Sequence, residues 1–139
     1  MADIVVTAAR VAVIFPEKAE IFDMIAAEAI TKGEAVYQTS AGKAAASGGA
    51  SAGVAQFMGI ALNKASAGMA VSVLKKGLIA GFTLSSQAYG APIYLSATAG
   101  SLADAGATVA TVVGRVVPLP DKDLTKALFV ESNMAKIWA

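Results

Sequence analysis

The 139-residue sequence contains no cysteine and no histidine. Without cysteine no disulfide can staple the fold and no thiolate can hold a metal; without histidine the commonest general base and metal ligand are also missing. Charge is scarce too. Eleven Lys and Arg stand against ten Asp and Glu, a formal net charge of +1. So small a charge sets up no long-range field to draw in a phosphate backbone, and nucleic acid is not an expected partner. Long apolar runs are lacking as well. A spanning helix needs about 20 consecutive apolar residues, and the two most apolar stretches are broken at Lys75-Lys76 and at Arg115. No membrane span is expected. The opening "MADIVVTAAR" carries Asp3 where a secretory signal would carry positive charge, which points to a chain that stays in the cytoplasm of the cell making it.

What remains is apolar and small. Hydrophobic residues make up 56% of the chain, with Ala prominent, and only 15% is charged. The length fits one domain, able to bury about 68–70% of its unfolded surface. A weakly charged, partly apolar exterior implies contact with other subunits. Residues 4 to 15, "IVVTAARVAVIF", are β-branched and end at Pro16, as a strand or extended arm would. Their alternation places Val5, Val11, Val13 and Phe15 toward a core and Arg10 toward water. Residues 1–16 are thus read as an N-terminal strand or arm, and 17–139 as a β domain with a C-terminal tail. The stretch "EKAEIFDMIAAEAI" satisfies both helix propensity and strand alternation, and the glycine-punctuated strands after it favour strand. Residues 47 to 54, "SGGASAGV", read as a surface loop. "ASAGMAVSVLKKGLIAGFTL" reads as a hairpin turning at Lys76-Gly77.

One phrase occurs twice. "GEAVY" from Gly33 matches "GAPIY" from Gly90; Gly42 matches Gly100; Phe57-Met58-Gly59-Ile60 matches Val112-Val113-Gly114-Arg115. A glycine inside a strand marks a bulge or sharp bend. Two such curled units, neither able to bury its own apolar face, predict an all-β protein: a small β-barrel built from two similar multi-strand units, with an extended N-terminal arm.

Fragments that imitate catalytic motifs fail on mechanism. Gly49-Ala-Ser51-Ala-Gly53 spells G-x-S-x-G, but a nucleophilic serine needs a base, and there is no histidine to supply it. Ser40-Ala-Gly-Lys43 fits S-x-x-K without the companion motifs, and a phosphate loop ending at Lys43 would need glycine where Tyr37 stands. Asp121 and Asp123 are too few oxygens for calcium. The expectation is a protein that is no enzyme, with no catalytic residues, cofactor or metal. Among the few aromatics, Trp138 stands apart in "NMAKIWA", where it would plug the barrel or anchor a neighbouring subunit.

The phrase "GEAVY...GK...FMGIAL...AGMAVSVLKKGLI", followed by "GAPIYLSATAGSL...VVGRVV", resembles the short capsid cement or decoration proteins of tailed bacteriophages. The likeness covers roughly residues 20 to 117. It implies a compact β-barrel, made in the host cytoplasm, that binds the virion's capsid exterior as a homotrimer and holds neighbouring major capsid protein subunits together. It also implies an N-terminal arm that adds as a strand to the capsid protein, for which Ile4, Val5 and Val6 are the matching candidates. The long segment before Gly33 and the tail after Pro120 depart from that pattern. Two alternatives use the same residues: another phage head or tail structural subunit, and a small β-barrel that binds a ligand in its interior.

Overall fold

The computed structural model of the chain describes residues 3–119 and 126–132. These form ten strands: β1 (Ala12–Ile14), β2 (Glu20–Ile25), β3 (Ala35–Gln38), β4 (Ala44–Ala46), β5 (Phe57–Ala61), β6 (Ala70–Ala80), β7 (Pro92–Leu95), β8 (Leu102–Ala103), β9 (Val112–Pro118) and β10 (Lys126–Glu131). All belong to one curled sheet with antiparallel strand pairs, in the order β4-β3-β5-β6-β10-β9-β7-β8, with β1 and β2 joined to β6. Helix is confined, among the described residues, to short 3-10 turns at Ala8–Arg10 and Pro16–Lys18. The all-β expectation holds. It holds even for residues 20–25, where helix propensity competes: all six pair with β6, and tertiary pairing overrides local preference.

The repeated phrase reappears as repeated pairing. Val36 faces Gly59 as Ile93 faces Gly114, Tyr37 faces Phe57 as Tyr94 faces Val112, and both ladders slip register between those two pairs. One strand further in, Ile60 faces Leu74 as Arg115 faces Phe129, and Ala61 faces Val73 as Val116 faces Leu128. The glycines have a steric cause. A Cβ at Gly59 would run into the Leu74 carbonyl, and one at Gly114 into the Phe129 carbonyl. Each curl therefore forms where one strand's backbone presses on its neighbour's, which only glycine permits.

Matched strands meet different surroundings. Val36, Ala61, Val71 and Val73 enclose a small Ala-rich cluster with Ala26, Ile30, Ala44 and Ala65. Their counterparts Ile93, Val116 and Leu128 line a larger cluster instead. That larger cluster is completed from the opposite face of the first strand set, by Ala35, Phe57, Ile60 and Leu74. β5 is consequently buried along its whole length. The two faces of the first strand set thus pack into different clusters. Each buried Val, Leu or Ile side chain contributes about 1.5–3 kcal/mol from transfer out of water.

The ends of the sheet meet through loops. Gly100 N donates to Ser47 O and Gly49 N to Ser96 O, each at 2.8 Å, and Val109 N reaches Gly49 O at 2.8 Å. Residues 47–49 are buried by these contacts, which corrects the reading of 47 to 54 as surface loop; only the second half, around Ser51, is exposed. Lys76-Gly77 is not a hairpin turn either. β6 runs straight through it for 11 residues. Gly77 adopts φ +146° opposite residues 15–19, which link β1 and β2 along one edge of β6, and a Cβ there would sit 3.1 Å from the Ala19 Cβ. The glycine makes room for that link, where the sequence presents a turn.

Replacing Gly59 or Gly114 with Ala is expected to cost about 2–3 kcal/mol through the forced separation of adjacent strands. Gly53→Ala, which meets open space at ordinary φ, is expected to stay within about 0.5 kcal/mol of the parent. Chemical denaturation of the three variants checks this. Equal stabilities would mean the bends are set elsewhere.

Candidate protein-binding surface

The N-terminal segment lies along the body of the domain. Ile4 N donates to Leu102 O at 2.8 Å, Asp3 bridges to Ala103, and the Ser96 hydroxyl donates to the Asp3 carboxylate at 2.6 Å. Further on, Thr83 N donates to Val5 O and Thr7 N to Gly81 O, both at 2.8 Å. The three candidate arm residues are thereby divided. Ile4 is 8% exposed and belongs to the large cluster, whereas Val5 is 64% and Val6 40% exposed. The expected alternation fails at its start, where Val5 points to water and Ile4 inward. It recovers at Val11, which is fully buried, while Val13 and Phe15 are half-buried. Two short strand-like contacts, to β8 and to residues 81–83, override a simple two-residue period. Trp138, Asp121 and Asp123 lie outside the described residues.

The other exposed large apolar side chains gather mainly on one strand. Ile21, Phe22 and Ile25 of β2 are each 43–46% exposed, and Met69, whose carbonyl accepts from Ala26 N at 2.8 Å, lies beside them. Sequence reasoning missed this strip. Its signal is that large apolar residues occupy both alternation phases of "EIFDMI" with one acid, Asp23, between them, as suits an edge strand. A shallow hollow of about 320 Å³ adjoins it, lined by Asp23, Met24, Ile25, Gly42 and Ala70. A second hollow, about 330 Å³, lies on the outer face of β9 and β10, between Val112, Gly114, Arg115, Val117, Phe129 and Glu131. Its counterpart on the first strand set, including Phe57, Ile60 and Leu74, is buried in the large cluster.

Charged groups around these surfaces hold one another. Lys75 Nζ stands 3.4 Å from Glu20, Lys76 Nζ stands 3.6 Å from Glu131, and Arg115 donates to Gly90 O at 2.9 Å. Lys75 and Lys76 thus extend from a strand into exposed ion pairs, not from a loop. Asp23 accepts from the Ser72 hydroxyl at 2.8 Å. The S-x-x-K fragment forms the β3-β4 turn, closed by Gly42 N to Thr39 O and Thr39 N to Lys43 O. No group of three or more His, Cys, Asp or Glu residues is placed to hold a metal among the described residues, and none of their helices is long and apolar enough to cross a membrane. Searches of family models, curated proteins and solved structures find no match to this chain.

The arrangement offers exposed apolar side chains, backbone edges and shallow hollows. The divided N-terminal segment yields a direct test. Ile4→Ala is expected to destabilise the fold by about 2–4 kcal/mol, since it removes a buried side chain. Val5→Ser is expected to change stability by less than about 0.5 kcal/mol. Thermal or denaturant unfolding distinguishes the two.

Proposed function

We propose that this chain is a structural virion protein that seats on the exterior of a mature tailed-phage head, as a homotrimer, and clamps neighbouring major capsid protein subunits. In this reading the two matched strand sets are the two curled units of a small β-barrel. The N-terminal segment is its arm, pinned by Ile4 and offering Val5 and Val6 to the capsid. The observation that carries the reading is the division of the apolar residues. A packed double core fills the middle, while further large apolar side chains remain outside on the N-terminal segment and on β2. Exposed apolar residues grouped this way are what a surface for other proteins supplies.

The action is physical. A clamp that binds only the expanded lattice stabilises that lattice by mass action. Weak contacts repeated around a symmetry axis then reinforce one another through effective concentration. Low net charge suits the task, because apolar edges pair without a large desolvation cost.

Mixing the purified protein with expanded and unexpanded shells of the cognate capsid protein, followed by sedimentation, tests the proposal. Co-sedimentation with expanded shells alone is expected, and failure with both would sink it. The double variant Val5→Asp, Val6→Asp is expected to keep its melting temperature within a few degrees and to bind shells at least tenfold more weakly.

A further inference from the structure

The geometry points to β2 as an acceptor edge: we propose that it receives an extended segment of a partner protein, apolar with a Lys or Arg placed opposite Asp23. This deepens the reading of the chain as a protein that grips other proteins, and it rests on that reading. It concerns a different surface from the N-terminal arm and the opposite role, with β2 receiving a strand rather than donating one.

Several observations converge on this edge. Along Glu20–Ile25, β2 pairs with β6 and with no other strand among the described residues. Its outer edge meets the rest of the sheet only beyond its end, where Ala27 N donates to Ala44 O at 2.7 Å. Backbone groups on an unpaired edge are a template for an incoming strand. Ile21, Phe22 and Ile25 supply exposed apolar area for its side chains, and the hollow between β2 and the β3-β4 turn offers them a seat. The edge is not guarded by lysine or proline as uncovered edges commonly are.

Charge selects the occupant. Glu17 and Lys18 are opposite in sign and lie in the 3-10 turn before β2, with Lys18 over the Phe15 ring, and Glu20 is engaged by Lys75. Lys43, beside the hollow at the β3-β4 turn, forms no ion pair among the described residues. Asp23 is the charge in the middle of the strip, and its one hydrogen bond is to a neutral hydroxyl. Antiparallel pairing of β2 with a second β2 in the register centred on Asp23 would set the two Asp23 carboxylates directly opposite each other, which like-charge repulsion disfavours. A basic residue there is favoured instead. The proposed occupant is a foreign strand that sets a basic residue opposite Asp23, and a second copy meeting through the same edge is one of the outcomes tested.

Amide hydrogen exchange of the full chain tests this with two capped synthetic peptides, Val-Thr-Val-Lys-Val-Thr-Val and its Lys-to-Glu counterpart. The Lys peptide is expected to slow exchange at residues 21–25 and to bind at least fivefold tighter than the Glu peptide. Asp23→Lys should reverse that preference and Asp23→Asn should level it, and N-methylation of alternate peptide amides should abolish the protection. Three results would overturn the proposal: no protection of β2 by either peptide, an unchanged preference in Asp23→Lys, or protection that rises with protein concentration without peptide. Binding that emerges only after removal of residues 133–139 would also overturn it, by making the chain's own end the occupant. Shell sedimentation stays separate: peptide binding without shell binding removes the capsid reading and leaves this one, and the converse removes this one alone.

Discussion

The fold depends on β6 being buried from both faces. Val71 and Val73 point into the Ala-rich cluster, while Leu74 and Ile79 point into the larger one. Leu74 is paired with Ile60 on one edge and Ile21 on the other, and Ile79 with Val13 and Leu128. A strand so enclosed cannot shift register without moving side chains from one core to the other, so it fixes the positions of β1, β2, β5 and β10 together. The apolar composition follows from this. Two cores separated by one layer of backbone need more small apolar residues than one core, and the second is built largely from alanine.

Much of the strand pattern was legible in the sequence, because it is carried by local signals. The matched phrases marked Val36 and Ile93, and Gly59 and Gly114, as equivalent positions, and the structure pairs Val36 with Gly59 and Ile93 with Gly114. For residues 20–25 alternation and helix propensity balance, and strand was favoured only by the glycine-punctuated strands that follow. What could not be read was the role of long-range partners. Gly77 has the composition of a turn, but its missing side chain makes room for a segment 58 residues earlier, at Ala19. Gly48 and Gly49 look like free loop and are buried because residues 96 to 109 close over them. Nor does the repeat reveal that equivalent positions differ in fate: Ile60 is buried, and its counterpart Arg115 is exposed. Ile60 faces the large cluster and Arg115 does not.

The candidate surface was half legible. Residues 4 to 6 drew attention by their β-branching, yet their division between core and solvent depends on hydrogen bonds to β8 and to residues 81–83. The β2 strip went unseen because its apolar residues look like core residues until the neighbours that would cover them prove absent from the described structure. Apolarity in a sequence states a preference for burial. It does not say whether the burying partner belongs to the same chain.

The ion pair between Lys76 and Glu131 gains meaning from the matched registers. Applying the spacing that takes Leu74 to Phe129 sends Lys76 to Glu131, and these two residues face each other where β6 meets β10. They hold equivalent positions in the two matched strand sets and face each other across β6 and β10. Lysine on both or glutamate on both would repel, so identity is disfavoured at that point. Opposite signs there let one half recognise the other as different, a complementarity available to a tandem chain and denied to a pair of identical single units.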